Sequence, residues 1–149
     1  MDDFSAKPGA SNLFSAIGSR AKAIQPGKTP LSSMSPTIIL EKGLPILAVG
    51  APGGTRIISC VAQTILNHLV YGMSLYDSVN ALRIHEQWKP DVLYVENPGL
   101  STETENKLQK LGWKIEHGDA DCAVMAVSKE GSGLNAVAEP RYQGKSLAQ

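Results

Sequence analysis

The sequence predicts one α/β domain of the mixed type (α+β), in which part of the sheet is antiparallel. Two β-rich runs, residues 37–40 and 46–49, flank a short turn that contains Gly43, an arrangement typical of a β-hairpin. A glycine-rich break follows the second run, and apolar residues then recur at the spacing of an α-helix. Two further strand-like runs lie at residues 123–127 and 134–138.

The predicted order of elements is β-β-α-α-β-α-β-β, without an internal repeat. The run at 46–49 is apolar on both faces, so we expect both faces of that strand to be buried. The first helix should end near Gly72, and a short strand is expected at residues 92–94. The broad apolar face of the first helix comprises Ile57, Ile58, Val61, Ile65, Leu66 and Leu69.

Two more helices follow from local signals. The second is expected to start at Ser74 or Asp77. The third has Thr102 and Glu105 at the spacing of a capping box, and Gly112 provides its stop.

Length and composition exclude several classes of protein. A chain of 149 residues suits one domain, and 42% apolar residues are enough for a core. Lys plus Arg and Asp plus Glu both total 14, which excludes the basic footprint of a nucleic-acid or polybasic membrane-binding protein. The apolar stretches are short, so no transmembrane helix is expected. The N-terminus, which begins Met1-Asp2-Asp3-Phe4, has no basic or apolar region of the kind expected in a signal peptide.

Residues 1–35 differ from the rest of the sequence. They are rich in Gly, Pro, Ser and Asn and lack sustained periodicity, apart from a short helical turn expected near residues 13–17. A leading segment of this length is typical of functional loops or of a piece of a larger fold. We therefore divide the chain into loops at 1–35 and sheet and helices at 36–149.

The glycine loop at residues 50–54 is the first candidate site. A buried strand, a glycine-rich turn and a helix N-terminus together place backbone amides where they can bind an anion. The paired Gly53 and Gly54 let a ligand approach the backbone closely. The anion can be a phosphate or the oxyanion of an acyl-transfer intermediate, and the same pattern also fits a plain strand-to-helix turn.

Two polar clusters are further candidates. The hydroxyls of Ser32 and Ser33 can bind a carboxylate together with nearby amides, although such serines are often only turn residues. Asp2 and Asp3 form an acidic pair that is either solvated or paired with a ligand ammonium.

Rival motifs fit poorly. Gly27-Lys28-Thr29 resembles the end of a P-loop, but Lys22 stands where its first glycine belongs, and the loop at 50–54 lacks the dinucleotide pattern. No G-x-S-x-G elbow surrounds the serines.

The histidines and cysteines do not indicate a metal site. His68, His85 and His117 lack metal-ligand spacing, so we expect no metal and no cofactor. Cys60 and Cys122 lie among apolar residues and are expected to be buried thiols, because two cysteines do not imply a disulfide framework.

Three segments in a fixed order carry a family resemblance. They read MDDFSAKPG at residues 1–9, PLSSMSPTI at 30–38 and GAPGGTRII at 50–58, with further similarity in RIHEQWKPD and in EPR near the end. Together they resemble the small subunit of γ-glutamyltransferases, over nearly the whole chain.

The resemblance implies a fold and a reaction. The family belongs to the N-terminal-nucleophile hydrolases, with a four-layer α/β/β/α sandwich and a precursor that cleaves itself into a large and a small subunit. A threonine at the new N-terminus attacks the γ-carbonyl of glutathione or a related γ-glutamyl compound. The γ-glutamyl group then passes to water or to an amino-acid or peptide acceptor.

The resemblance also assigns the candidate residues. Asp3 matches the partner of the substrate α-amino group, and Ser32 and Ser33 match the α-carboxylate ligands. Gly53 and Gly54 match the donors of the oxyanion hole. The nucleophilic threonine and the first strands lie upstream of these motifs in the family, so we expect this segment to be inactive alone.

Two alternatives stay open at this point. The chain can belong to another N-terminal-nucleophile amidase or acylase, or it can be a non-catalytic module with an amino-acid pocket. The family resemblance further implies a periplasmic or extracellular location and a partner large subunit. Because its sheet should continue into partner strands, we expect the isolated chain to self-associate.

Overall fold

A computed structural model describes residues 3–147, which form two sheets and three α-helices. The strands are β1 (Thr37–Glu41), β2 (Leu44–Gly50), β3 (Ile84–His85), β4 (Leu93–Glu96), β5 (Ile115–Gly118), β6 (Met125–Glu130) and β7 (Gly133–Val137). The helices are α1 (Ile57–Leu69), α2 (Leu75–Asn80) and α3 (Thr102–Lys110). Every helix and strand of the predicted order β-β-α-α-β-α-β-β is present, and the structure adds the short strands β3 and β5.

The larger sheet has the order β1-β2-β6-β7, with every neighbouring pair antiparallel. The predicted hairpin is confirmed as β1 and β2, in which Thr37 pairs with Val49. Lys42 and Gly43 both have positive φ at its turn. The smaller sheet has the order β3-β4-β5, with β3 antiparallel and β5 parallel to β4.

One face of the larger sheet packs against α1 and α2, and the core lies between these two layers. The buried members of the core are Leu47, Val49, Ile57, Cys60, Val61, Leu75, Val79, Ala120, Cys122, Val124 and Ala126. The opposite face lines an open apolar groove of about 470 Å³.

The prediction that β2 is buried on both faces is wrong for the described residues. Leu47 and Val49 are 1% and 5% exposed, but Ala48 between them is exposed on the groove side. The reason is that residues 3–147 supply a helix layer for only one face of the sheet.

The apolar face of α1 is narrower than predicted. Ile58, Leu66 and Leu69 are exposed, whereas Cys60 and Thr64 are buried with Ile57 and Val61. The buried stripe is therefore rotated towards the side that faces the sheet.

The capping prediction for α3 is displaced by one residue. Ser101, not Thr102, is the N-cap, and its hydroxyl accepts a hydrogen bond from the Thr104 amide. Glu105 still takes part in capping the helix N-terminus, because its carboxylate accepts a hydrogen bond from the amide of Leu100. Gly112 follows the helix with a φ of 97°, as expected of a helix stop.

Cys60 and Cys122 are buried, as predicted, but they are not thiols. They form a disulfide between residues 62 positions apart, with Cα atoms at 6.8 Å. The sequence could not predict this pairing because it depends on α1 lying beside the segment that leads into β6.

Residues 3–36 lack long elements. They contain one 3₁₀ turn, Arg20–Lys22, and two isolated bridges, Ser5 with Ala23 and Ser11 with Ile17. The helical turn expected near residues 13–17 is replaced by a tight loop closed by Asn12, whose side-chain oxygen accepts from the amides of Phe14 and Ala16.

Candidate functional site

The Gly53–Gly54 turn connects the end of β2 to the start of α1. Gly53 has a φ of 146° and Gly54 a φ of 57°, both in the region that favours glycine. A short 3₁₀ turn, Gly54–Arg56, then leads into α1. Among the described residues, neither glycine amide donates a hydrogen bond within the chain. Both amides are thus available to an anion at the positive end of the helix.

Close packing makes glycine necessary at both positions. A Cβ at Gly53 would lie 2.6 Å from the Cβ of Cys122 and 2.8 Å from the carbonyl oxygen of Asp121. A Cβ at Gly54 would lie 2.5 Å from the ring of Phe14. The backbone of the turn is therefore enclosed by two distant segments of the chain.

The structure separates the two candidate serines. The hydroxyl of Ser33 donates a hydrogen bond of 2.6 Å to the carbonyl oxygen of Gly54. Ser32 is exposed, and its hydroxyl accepts a hydrogen bond of 3.2 Å from the Met34 amide. Ser33 is thus fixed against the glycine turn, whereas Ser32 faces solvent.

Asp3 is linked to the turn through a chain of contacts. It is half-buried, and its backbone carbonyl accepts a hydrogen bond of 3.0 Å from the Asn12 side chain. The loop closed by Asn12 carries Phe14, whose carbonyl accepts a hydrogen bond of 3.2 Å from the Thr55 hydroxyl. No hydrogen bond joins Asp3 to Ser32 or Ser33 in residues 3–147. Asp2, the other member of the acidic pair, lies outside the described residues.

A cavity of about 380 Å³ opens beside the turn. Its lining carries both charge signs, because it includes Arg56 and Asp121. The Arg56 guanidinium lies 3.7 Å from the Asp121 carboxylate. The Arg56 guanidinium also lies over the ring of Tyr94, at 4.5 Å from its centre. The lining residues are Leu13, Phe14, Ser15, Gly53, Gly54, Thr55, Arg56 and Asp121.

Several site residues were not predicted from the sequence. Asn12 and Phe14 hold the Asp3 loop on the turn, and Cys122 supports Gly53 from behind. Asn12 lies in a segment rich in turn residues, and its turn-forming propensity was an available signal. Cys122 gave no local signal, because its contact with Gly53 exists only in the tertiary structure.

A buried ionic network lies behind the site. The Arg83 side chain is 4% exposed, and its Nη2 donates a hydrogen bond of 2.6 Å to Oε2 of Glu139. The same carboxylate accepts hydrogen bonds from the Val124 amide at 2.9 Å and from Arg141 at 2.7 Å. Arg141 also donates to Glu96 at 2.7 Å.

The pKa values in this network reflect burial opposed by pairing. Burial by itself raises the pKa of the Glu139 carboxyl, but hydrogen bonds from Val124, Arg141 and Arg83 outweigh it, and the pKa is lowered. Burial lowers the pKa of Arg83, against the pull of Glu139. The pKa of Arg141 is raised, because its bonds to Glu96 and Glu139 exceed the effect of its own burial.

The histidines have partners within the chain. His68 Nδ1 lies 2.9 Å from the Met73 carbonyl oxygen, and His117 Nε2 lies 3.4 Å from Glu105. His85 contacts Ser59 at 2.8 Å, and its burial lowers its pKa despite a hydrogen bond to Gln87. Within residues 3–147, no three His, Cys, Asp or Glu side chains converge as a metal site would require. No helix in this range is long and apolar enough to cross a bilayer.

Comparison with known protein families identifies one family across the whole sequence. The gamma-glutamyltranspeptidase family model matches residues 1–149. The chain belongs to the γ-glutamyltranspeptidase family.

Individual members of that family resemble the chain closely. A glutathione hydrolase proenzyme from Escherichia coli is 48% identical over 115 residues, which cover 77% of this chain and 20% of the relative. A glutathione hydrolase proenzyme from Pseudomonas aeruginosa is 38% identical over 150 residues, covering 99% of this chain and 27% of the relative. The chain therefore spans about a fifth to a quarter of the length of these relatives.

The fold is also that of the family. A crystal structure of a Helicobacter pylori γ-glutamyltranspeptidase variant superposes with a TM-score of 0.90 at 41% identity. The match covers 95% of this chain and 78% of that one. The mixed α+β arrangement is thus that of an N-terminal-nucleophile hydrolase, as the resemblance implied.

Proposed function

We propose that this chain supplies substrate recognition and the oxyanion hole of an enzyme that cleaves γ-glutamyl amides. The donor is glutathione or a related compound, and the acceptor is water, an amino acid or a peptide. The nucleophile is a threonine from a segment outside this sequence, and the chain corresponds to the C-terminal part of the small subunit. The relatives are glutathione hydrolase proenzymes, which supports both the substrate class and a processed precursor.

The observation that carries the proposal is the state of the Gly53 and Gly54 amides. They lie at the start of α1 without a hydrogen-bond acceptor among the described residues. When a nucleophile attacks the γ-carbonyl, negative charge develops on its oxygen, and two fixed amides stabilise that charge. The packing of Cys122 and Phe14 around the turn keeps these donors in place before the reaction begins.

Recognition of the glutamyl head group is assigned to Asp3, Ser32 and Ser33. The Asp3 carboxylate pairs with the α-ammonium, and the two serine hydroxyls donate to the α-carboxylate. A hydroxyl has one proton, so the Ser33 hydroxyl gives up its bond to the Gly54 carbonyl when it binds the substrate. The hydrogen bond from Ser33 to Gly54 supports this assignment, because it places one carboxylate ligand beside the proposed oxyanion donor. Ser32 is exposed in the free chain, which leaves its hydroxyl accessible to a ligand.

The proposal includes a location and a partner. A buried disulfide fits a periplasmic or extracellular protein, because disulfides form and persist in oxidising compartments. The exposed face of the larger sheet fits a partner layer from the rest of the precursor, including its large subunit.

The test uses the complete enzyme that contains this segment and a γ-glutamyl anilide. Asp3→Ala is expected to raise KM by one to two orders of magnitude, because a charge-assisted contact contributes about 1.5–3 kcal/mol. Asp91→Ala is the matched control, since Asp91 is an exposed carboxylate on another loop. Unchanged KM and kcat in Asp3→Ala would remove its assigned role. Binding of γ-glutamyl compounds without any turnover by the complete protein would favour a non-catalytic module.

A further inference from the structure

The Cys60–Cys122 disulfide lies directly behind the Gly53–Gly54 turn. Cys60 is in the first turn of α1, and Cys122 is in the segment that leads into β6. Their exposed fractions are 2% and 1%, so neither sulfur is available to a substrate. The chemistry proposed above does not use them.

The backbone at Cys122 supports the turn. A Cβ at Gly53 would lie 2.8 Å from the Cα of Cys122, so the two backbones are in direct contact. The Ala123 amide donates a hydrogen bond of 3.1 Å to the carbonyl oxygen of Pro52. The Cys122 carbonyl accepts one of 3.0 Å from Arg83. The turn therefore rests on a segment that is itself fixed, and we call residues 121–123 the floor segment.

The disulfide joins the floor segment to the helix that the turn leads into. The turn is thus enclosed between two backbone segments that share a covalent link. Gly53 and Gly54 both have positive φ and no side chain, so the turn by itself resists a change of amide direction only weakly. The Cys60–Cys122 disulfide behind the turn restricts that change of amide direction.

We propose that Cys60 and Cys122, joined as a disulfide, are positioning residues for the oxyanion hole. They hold the floor segment and α1 at a fixed separation, and in this way they fix the direction of the Gly53 and Gly54 amides. The inference rests on the oxyanion role proposed above. A shift of about 1 Å in a catalytic group can cost on the order of a hundredfold in rate, so a small loosening of the turn is sufficient for a measurable effect.

The first test compares the oxidised 149-residue chain with the chain reduced by dithiothreitol. The reagent supplies two electrons and two protons, the Sγ–Sγ bond breaks to give two thiols, and the reagent closes to a cyclic disulfide. Alkylation and intact mass count the thiols before and after. Two alkylated thiols in the chain before reduction would overturn the proposal at once.

Hydrogen exchange followed by NMR then reports on the turn. The Arg56 amide, which donates to the Gly53 carbonyl at 3.1 Å, and the Ala123 amide are the local reporters. The Leu93 amide, which donates to the Lys114 carbonyl at 2.8 Å in the other sheet, is the remote reference. Reduction is expected to accelerate exchange at both local reporters by about tenfold relative to Leu93, because local opening is governed by local contacts.

Three results would overturn the positioning role. The first is unchanged exchange at Arg56 and Ala123 after verified reduction. The second is equal acceleration at all three amides, which would show that the disulfide contributes only to global stability. The third is a response of the Cys60→Ser/Cys122→Ser double variant to the reagent that equals that of the unaltered chain, which would show that the response does not come from the disulfide.

The second test uses the complete enzyme and separates this inference from the proposed function. After reduction, kcat per titrated active site is expected to fall by about tenfold or more, since oxyanion donors act in the transition state. KM should change by less than about twofold, because the head-group ligands are not in the floor segment. An unchanged kcat would overturn the role. Absence of γ-glutamyl turnover in the oxidised enzyme would instead contradict the proposed function, and the exchange experiment would still decide the effect of the disulfide on the turn.

Discussion

The hydroxyl of Ser33 donates a hydrogen bond of 2.6 Å to the carbonyl oxygen of Gly54, 21 positions along the chain. One residue is assigned to the α-carboxylate of the substrate, and the other to its developing oxyanion. Under these proposed roles, the one proton of the Ser33 hydroxyl leaves the Gly54 carbonyl for the α-carboxylate, so binding of the head group changes a contact of the glycine turn.

Ser33→Ala is expected to raise the KM of the complete enzyme less than Ser32→Ala does. The Ser33 hydroxyl loses its bond to the Gly54 carbonyl, a contribution of about 1 kcal/mol, when it turns to the α-carboxylate, so its net contribution to binding is smaller. Ser32→Ala is the matched variant, since the Ser32 hydroxyl accepts a bond from the Met34 amide and donates none within residues 3–147. Steady-state kinetics with a γ-glutamyl anilide is the measurement, and equal rises of KM in the two variants would contradict the coupling.

A polypeptide limited to the 149 residues is expected to show no γ-glutamyl transfer or hydrolysis. Covalent catalysis requires the nucleophile, and the oxyanion hole and binding groups alone leave only weak residual effects. Release of the chromophore from a γ-glutamyl anilide is the measurement. Turnover close to that of a complete enzyme would be incompatible with the proposed division of roles.

Glu139→Gln is expected to destabilise the fold strongly. Glu139 is 1% exposed and is shared by Arg83 and Arg141, and removal of one partner from a buried pair typically costs about 3–5 kcal/mol. Glu103→Gln is the control, because the Glu103–Lys107 pair is exposed and should contribute less than about 1 kcal/mol. Urea unfolding gives both values, and equal losses in the two variants would show that burial of the pair is not what matters.

The same carboxylate predicts a pH dependence of stability. Because the pKa of Glu139 is lowered in the folded chain, the unfolded chain binds more protons at acid pH. Its contribution is therefore complete above the ordinary glutamate pKa of about 4.3 and is lost as the pH falls below that value. Unfolding free energies measured from neutral pH down to about pH 3 should fall less steeply for Glu139→Gln. Parallel curves would rule out this residue as the source.

The open face of the larger sheet predicts self-association of the isolated chain. Ile38, Met125 and Val127 are 68%, 47% and 42% exposed on apolar strands, and faces of this kind favour contact with another chain. Val127→Asp should reduce the mass measured by light scattering. Leu111→Asp, which alters a 77% exposed residue after α3, should leave it unchanged. A monomer in the unaltered chain would contradict the prediction.

The sequence by itself determined the local elements and the family. Local residues determine the hairpin of β1 and β2, the glycine turn and α1. Their sequence patterns can therefore be recognised without knowledge of the tertiary structure. The motifs that carry Asp3, Ser32, Ser33, Gly53 and Gly54 likewise identify the family from their order and spacing.

Only the tertiary structure decided how these pieces meet. The Cys60–Cys122 disulfide joins residues 62 positions apart, and the Arg83–Glu139 pair joins residues 56 apart. Neither contact has a local signal, because each depends on how the helices lie on the sheet. The same is true of β2, whose apolar sequence predicts burial on both faces while its environment covers one. Periodicity reports the preference of a side chain, and packing reports whether another element is there to satisfy it.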